Sequence, residues 1–205
     1  MEHPWIEYCK RIQAIAQAGL EYSANTYDRE RYEELREISV KMMANISGKY
    51  VETVKELFAN ESGYQTPKVD IRAVICKDDT ILLVREKIDG CWSLPGGWAD
   101  IGLSPKEVVV KEVREEAGLS VSPIRLLAVM DKKFHAHPPS PYHTYKIFMQ
   151  CEIAGGDMTP GSETTEVGFF PVSRLPQLSA HRITAEQISI LYELVNDEEK
   201  APVFD

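Results

Sequence analysis

A strongly signalled helix behind a Gly-Gly loop constrains the fold of this chain more than any other feature. It lies within LPGGWADIGLSPKEVVVKEVREEAGL, residues 94–119. Ser104 suits the N-cap, Pro105 suits the first helical position, and Glu107 is the returning partner of a capping box, so the spacing predicts a helix that begins here. Gly118 is placed to end it.

Acidic residues of this helix form a cluster. Glu112, Glu115 and Glu116 share one face, because positions i, i+3 and i+4 are neighbours on a helix. Carboxylates at that spacing repel one another unless a cation neutralises them, and Mg²⁺ is bound by a few carboxylates together with water and substrate phosphate oxygens. The alternative is an acidic face that water solvates. The residues expected to face a core are Val108, Val109 and Val113.

The same stretch resembles the Nudix box, G-x5-E-x7-R-E-U-x-E-E-x-G-U, in which U is a bulky aliphatic residue. Two positions depart from the pattern: Leu103 replaces its first Glu, and Lys111 replaces its Arg. Lysine keeps the charge of arginine without its planar fork. The metal-binding half of the box therefore matches better than the front half. The matching residues are Gly97, Glu112, Val113, Glu115, Glu116, Gly118 and Leu119.

This resemblance implies a fold, an activity and a metal. The fold is of the α/β (α+β) class, a Nudix α/β/α sandwich with a mixed sheet, over roughly residues 68–196. The activity is hydrolysis of a nucleoside diphosphate linked to a group X, with Mg²⁺ or Mn²⁺ to neutralise phosphate charge and activate a water. The implied metal ligands are Glu112, Glu115, Glu116 and the carbonyl of Gly96.

The reaction also needs a base, which in many family members is a glutamate outside the box. Glu166 is the first candidate, because it directly precedes a predicted strand that would hold it firmly. Glu163 and Asp157 lie in the same loop, and Asp100 is a weaker candidate. Glu112 counts among the catalytic residues as well as among the ligands. A solvated loop acid is the alternative for each loop residue.

Several residues are candidates for substrate binding. Arg72 and Arg85 could bind diphosphate oxygens, although surface ion pairs are equally compatible with the sequence. Trp98 follows the Gly-Gly turn and could lie over the substrate or pack in the core. The long loop 132–143 could stack a base or enclose a cationic head group with Phe134, Tyr142 and His143. The same loop has an HxH pair, His135 and His137, whose spacing suits a metal but also an ordinary lid.

Two domains are expected, 1–62 and 68–205, because the composition changes near residues 62–67. Asp28 and Ser47 are predicted helix starts in the first domain, and Gly48 separates its second and third helices. Three short helices make a thin core, so we expect a homodimer, with packing on the same chain as the alternative. The apolar residues at helical spacing are Ile12, Ile15, Ala16, Leu20, Tyr32, Leu35, Ile38, Met42, Val51, Val54, Leu57 and Phe58.

Strand signals dominate after the linker. Residues 69–76 and 81–85 flank a turn and are predicted to pair as a hairpin, followed by an Asp89-Gly90 turn. Further predicted strands cover residues 92–94, 124–130, 145–153 and 167–170, and residues 184–195 are predicted to form a closing helix.

Composition excludes other classes of protein. The 205 residues carry a formal charge of −9, which argues against general binding to nucleic-acid backbones. No long apolar run that could span a membrane and no apolar signal-peptide core is present. The four cysteines are scattered without paired spacing, which favours free thiols in a reducing cytoplasm.

The helical N-terminal unit and the box together are similar to a bacterial Nudix subgroup. The resemblance favours CDP-choline, cleaved to CMP and phosphocholine, over ADP-ribose, cleaved to AMP and ribose 5-phosphate. A hydrolase of RNA caps or terminal phosphodiester bonds is an alternative, which the net acidity disfavours. A non-catalytic nucleotide sensor is another, which the three retained carboxylates disfavour.

Overall fold

The computed structural model describes residues 4–205, and the chain divides into two compact units. The N-terminal unit contains the chain up to Pro67 together with Pro139–His143, and the second unit contains Lys68–Pro138 and Thr144–Asp205. Within the described residues, every helix is too short or too polar to cross a membrane.

Three helices make up the N-terminal unit: α1 (Pro4–Tyr22), α2 (Thr26–Ser47) and α3 (Val51–Phe58). Asn25 is the N-cap of α2, since its side chain accepts hydrogen bonds from the backbone of Tyr27 and Asp28. The start predicted at Asp28 is therefore two residues late. Ser47 ends α2 rather than starting α3, because Gly48 takes a left-handed φ of 64° and serves as the C-cap.

The core of the N-terminal unit follows the predicted apolar stripes only in part, since Ala16, Val54 and Phe58 are buried. Gln13, Gln17 and Ser39 are buried, and hydrogen bonds join them: Gln13 donates to Gln17 at 3.2 Å and Ser39 donates to Gln13 at 3.3 Å. These hydrogen bonds offset the free-energy cost of burying polar side chains. Several members of the predicted stripes are consequently exposed: Ile15, Leu35, Ile38, Val51 and Leu57.

The second unit has nine strands and two helices. In chain order they are β1 (Lys68–Val74), β2 (Cys76–Lys77), β3 (Thr80–Glu86), β4 (Trp92–Ser93), β5 (Gly96–Trp98), α4 (Pro105–Ala117), β6 (Leu119–Asp131), β7 (Thr144–Gly156), β8 (Thr164–Pro171), α5 (Ala185–Asn196) and β9 (Val203–Phe204). Short 3-10 turns follow β6 and β8.

The strands form a mixed sheet and an antiparallel sheet. The mixed sheet has the order β5-β1-β7-β6-β9, with β1 parallel to β7 and β6 parallel to β9. In the second sheet, β3 pairs with β2, β4 and β8, always antiparallel.

The predicted hairpin between residues 69–76 and 81–85 is only partly right. Only β2 pairs with the start of β3, whereas β1 pairs with β5 and β7 in the other sheet. The chain changes sheets at Ile75, whose carbonyl still accepts a hydrogen bond from the Leu82 amide at 2.9 Å. Alternation and β-propensity indicate that both segments are strands but do not specify their partners.

Helices cover the strands on two sides. The valines of α4, namely Val108, Val109 and Val113, are buried against residues from both sheets, as predicted. Ile188 and Leu191 of α5 belong to a second core cluster with other strand residues. This arrangement confirms the α/β class with a mixed sheet between helices and an N-terminal helical region.

Candidate active site

Helix α4 brings the acidic cluster to the short strand β5. The capping box at Ser104 and Glu107 is formed as predicted, and Gly118 ends the helix with a φ of 71°. Since the valines fix one face of α4 in the core, Glu112 and Glu116 are directed toward the backbone of Gly96 and Gly97.

Glu116 is the most buried of these carboxylates, with 5% exposed. Its Oε2 accepts a hydrogen bond from the Gly96 amide at 2.8 Å. Burial raises the pKa of Glu116 to about 7, although the Arg72 guanidinium and the Gly96 amide act in the opposite direction. Burial also raises the pKa of Glu112, while Lys111 and Arg72 oppose that rise. Both carboxylates therefore lack full charge compensation, which a bound cation would supply.

The two glycines permit this close approach. Gly96 has a φ of 141°, and a Cβ at this position would overlap the carbonyl oxygen of Ile71. At Gly97 a Cβ would lie 3.1 Å from Glu112 Oε2, so a larger side chain would displace this carboxylate. The loop thus brings its backbone close to the carboxylates, and at Gly96 the observed contact is made by the amide.

Lys111 holds part of the acidic cluster in place. Its Nζ lies 3.7 Å from Glu112 and 3.5 Å from Glu115, and it donates to Asp100 at 2.9 Å. Among residues 4–205 no three His, Cys, Asp or Glu side chains converge as a ready cation site. Glu115 is directed to Lys111 and more than half exposed, while Glu116 is directed to Gly96. The donor set fits a hard divalent cation by its chemistry, since it offers carboxylate and carbonyl oxygens on one helix turn and its facing loop.

The candidate bases differ in their surroundings. Glu166 forms an ion pair with Arg85 at 2.6 Å across β3 and β8, and both side chains are about half exposed. Glu163 is close enough to Glu112 to contribute to the raised pKa of that carboxyl, after burial and Glu115. Asp100 is paired with Lys111. Glu163 is thus the loop candidate whose charge acts on the acidic cluster.

The two candidate arginines have different environments. Arg72 is buried and donates to Asp70 at 2.9 Å and to the Leu94 carbonyl at 3.0 Å. Its charge favours the ionised form of Glu116 and so acts to lower the pKa of that carboxyl. Arg85 lies at the surface and donates to Glu166. Trp98 is 51% exposed.

The residues of loop 132–143 are divided between the two units. Phe134 is exposed, with the Lys133 ammonium 4.8 Å from its ring centre. His135 Nε2 lies 3.0 Å from Asp205, whereas His137 Nδ1 lies 2.7 Å from the Ala180 carbonyl, so the two imidazoles have separate partners. Tyr142 and His143 belong to the N-terminal unit.

Three buried charged residues, Asp70, Glu86 and Lys146, were not predicted from the sequence. Asp70 accepts hydrogen bonds from both Arg72 and Lys146. Burial would raise the pKa of Asp70, but the two cations hold it below its ordinary value. Glu86 is buried with Ser93 and Arg182, at 2.8 and 2.7 Å. Isolated charges inside apolar strand segments, as in KVDIRAV and TYKIFM, were the signal that could have revealed Asp70 and Lys146.

The fold and the glutamate-bearing helix define a class of protein. A profile described as the NUDIX domain matches residues 66–192, and the chain belongs to the Nudix family of pyrophosphohydrolases. Nudix hydrolases generally use divalent metal ions. A second profile, described as "UDP-X-like, N-terminal oligomerisation domain", matches residues 3–58.

Individual relatives extend over different parts of the chain. A Bacillus subtilis (strain 168) protein named "Putative ADP-ribose pyrophosphatase YjhB" is 51% identical and covers 98% of this chain and 97% of its own. The crystal structure of a UDP-X diphosphatase is 35% identical, covers 98% of both chains and has a TM-score of 0.65. The crystal structure of a Streptococcus suis 89-1591 ADP-ribose pyrophosphatase is 46% identical, covers 68% of this chain and 100% of its own, and has a TM-score of 0.63.

Proposed function

We propose that this enzyme hydrolyses the diphosphate bond of a nucleoside diphosphate linked to a group X, with Mg²⁺ or Mn²⁺ as cofactor. The observation that carries the proposal is the approach of Glu112 and Glu116 to the Gly96-Gly97 backbone. Two partly uncompensated carboxylates beside this backbone would provide oxygen ligands, together with the Gly96 carbonyl, for a cation that also binds phosphate oxygens.

The protein residues have separate roles in this scheme. Glu112, Glu115, Glu116 and the Gly96 carbonyl would hold the ion, which supplies charge neutralisation and an activated water. Glu115 must leave Lys111 to reach it. Arg72 holds Asp70 and stabilises the ionised form of Glu116. Glu163 or Glu166 would accept a proton from the attacking water.

We propose ADP-ribose as the first candidate substrate, with AMP and ribose 5-phosphate as products. The printed names of the Bacillus subtilis and Streptococcus suis relatives support this choice. The UDP-X diphosphatase supports a uridine nucleotide as the next choice. The sequence favoured CDP-choline, and the exposed Phe134 remains compatible with its quaternary ammonium group.

A substrate panel tests the proposal. Release of nucleoside monophosphate should be measured with ADP-ribose, UDP-sugars, CDP-choline, a dinucleotide and short capped RNA, each with Mg²⁺, Mn²⁺ or EDTA. We expect a metal-dependent kcat/KM for one nucleoside diphosphate-X compound that exceeds the others at least tenfold. Absence of any hydrolysis by folded, metal-loaded protein would overturn the proposal, and RNA as the best substrate would redirect it to RNA ends.

We also propose that the chain divides functionally at residues 62–68 and that its N-terminal helices assemble a homodimer. The description of the N-terminal profile supports an oligomer, and exposed apolar residues of α1 to α3 supply apolar surface. A cytoplasmic location stays a prediction, with which the four free cysteines are compatible.

A further inference from the structure

Two buried polar atoms of the second unit lack a hydrogen-bond partner. They are His137 Nε2 and Thr144 Oγ1, and they are the unsatisfied buried side-chain atoms among residues 4–205. An unpaired buried polar group costs roughly 1–3 kcal/mol, so such groups in native proteins call for a missing partner. Neither residue belongs to the acidic cluster.

The protonation of His137 defines the partner that it needs. Its Nδ1 lies 2.7 Å from the Ala180 carbonyl, which can only accept, so Nδ1 carries the proton. Burial lowers the pKa of His137 to about 4, and the charges of Lys146, Lys132 and His135 add to this effect. The imidazole is therefore neutral near pH 7. Its Nε2 can only accept, so it needs a partner with an N–H or O–H group.

Hydrogen-bond donors lie beside this acceptor. Thr144 and Lys146 are two residues apart on β7 and so face the same side of the mixed sheet. The charge of Lys146 contributes to the lowered pKa of His137, so the ammonium lies near the imidazole. Lys146 donates to Asp70, and an ammonium has three donors, so further N–H groups can serve a ligand.

Buried charged residues connect Lys146 to the acidic cluster. Asp70 accepts from Lys146 with one oxygen and from Arg72 with the other. Arg72 acts in turn on Glu116. In the strand register Asp70 is also opposite Trp98, which is half exposed. A nucleotide with its phosphates at Glu116 could thus extend along β1 toward Lys146.

We propose that His137, Thr144 and Lys146 form the subsite that reads the nucleobase, in which a base N–H donates to His137 and a neighbouring base acceptor binds Thr144 and Lys146. The inference rests on the proposed function, since it assumes a nucleotide at the acidic cluster. A phosphate does not fit, because Nε2 can only accept and Asp70 is anionic. Choline does not fit either, because it has no N–H donor for His137. Adenine, cytosine and uracil each present a donor beside an acceptor.

Binding of reaction products tests this subsite without turnover. Dissociation constants of AMP, CMP, UMP and ribose 5-phosphate should be measured by calorimetry with Mg²⁺ present. We expect at least one nucleotide to bind tenfold more tightly than ribose 5-phosphate. His137→Leu should remove at least tenfold of that affinity and leave ribose 5-phosphate unchanged. His181→Leu, at an exposed histidine, is the matched control.

Thr144→Val is the second variant and guards against misfolding of the first. It should weaken the preferred nucleotide at least threefold without lowering Tm, because the deleted hydroxyl has no partner in the free protein. Thr164→Val, in contrast, should lower Tm, because its hydroxyl donates to the Glu116 carbonyl at 2.7 Å and accepts from the Gly161 amide at 2.8 Å.

Three outcomes would overturn the subsite: nucleotides that bind no better than ribose 5-phosphate, unchanged nucleotide affinity in both variants, or a lower Tm for Thr144→Val with unchanged affinity. If a variant loses affinity equally for nucleotides and for ribose 5-phosphate, the contact is with the ribose rather than the base. That result would also overturn the subsite. Intact base discrimination without hydrolysis of any nucleoside diphosphate-X compound would refute the proposed function and leave the subsite standing.

Discussion

At the scale of single residues, the three clustered glutamates of α4 occupy contrasting environments although they lie within five positions. Glu116 is buried on the Gly96 amide, whereas Glu115 is exposed and directed to Lys111. Arg72 and the Gly96 amide offset only part of the effect of burial, so ionising Glu116 costs free energy in the metal-free protein. A site that binds a divalent cation can use this arrangement, since the cation removes the cost when it binds.

The raised pKa of Glu116 predicts how stability changes with pH. The folded-state pKa of about 7 lies above the ordinary value of 4.5, so the folded protein binds the extra proton between these values. The free energy of unfolding of EDTA-treated protein should therefore fall as pH rises from about 4.5 to 7, by on the order of 2–3 kcal/mol.

The Glu116→Gln variant has no titrating group at this position. The part of the pH dependence of its free energy of unfolding that Glu116 contributes should therefore be absent. Urea denaturation at several pH values should show a wild-type minus variant difference that becomes more negative up to about pH 7. A pH-independent difference would refute the assigned environment of Glu116.

The proton acceptor gives a second prediction at residue scale. Glu163→Gln should lower kcat by roughly 10²–10⁴, because this carboxylate is near Glu112. Glu166→Gln should lower kcat only a few fold, because Glu166 is paired with Arg85 at the surface. Steady-state kinetics with calorimetric metal titration separates a base from a ligand, since a ligand variant also binds metal more weakly. A larger loss of kcat for Glu166→Gln would restore it as the first candidate.

The environments of these candidates could be predicted only in part from sequence. Helical spacing alone predicts that Glu112, Glu115 and Glu116 share a face. The pairing of Glu166 with Arg85 depends on the register of β3 and β8, whose partners are 81 positions apart in the chain. Such a distant pairing has no local signal. The sequence therefore indicated that a strand holds Glu166 but could not show that Arg85 is its partner.

At the scale of elements, local signals predicted helices better than sheets. Helix α4 has an N-cap, a capping box and a C-cap glycine within its own segment, and all three are formed. The long strand β1 has no comparable signal for its partner, and it joins β5 and β7 rather than β3. The start of α2 was misplaced because Asn25 and Asp28 are both acceptable N-caps.

The loop at β5 provides a test at this scale. Gly96→Ala should lower the free energy of unfolding by more than about 2 kcal/mol and impair catalysis, since a Cβ would overlap the Ile71 carbonyl at a φ of 141°. Gly155→Ala is the control, because a Cβ there has no heavy atom within 4 Å and its φ is not positive. Chemical denaturation and turnover should be measured for both. A Gly96→Ala enzyme as stable and active as the Gly155→Ala enzyme would show that the close approach is not required.

At the scale of the whole molecule, the N-terminal unit leaves apolar residues outside its core. Its interior uses Gln13, Gln17 and Ser39, while Ile38 of α2 is 41% exposed. Helical periodicity correctly predicted three helices but placed the buried face by hydrophobicity alone. Apolar residues that the unit does not bury are available for a second copy.

Self-association of the full-length chain tests this proposal. Ile38→Glu should shift the protein from a dimer to a monomer at micromolar concentration, because it places a charge in the apolar surface. Glu33→Lys, a charge reversal at an exposed position of the same helix, should leave the dimer intact. Light scattering distinguishes the two masses. Wild-type protein that is monomeric at this concentration would contradict the dimer.

The most direct test of the account measures turnover of the best substrate of the panel against Mg²⁺ concentration in three proteins. Wild type should show saturable metal dependence that EDTA abolishes. Glu116→Gln should retain its fold and lose at least two orders of magnitude in kcat, because it removes a carboxylate ligand. Glu193→Gln, whose side chain is 70% exposed on α5, should match wild type. Wild-type turnover that persists in EDTA, or a Glu116→Gln enzyme with wild-type kcat at saturating Mg²⁺, would contradict a metal site at the Glu112 and Glu116 turn.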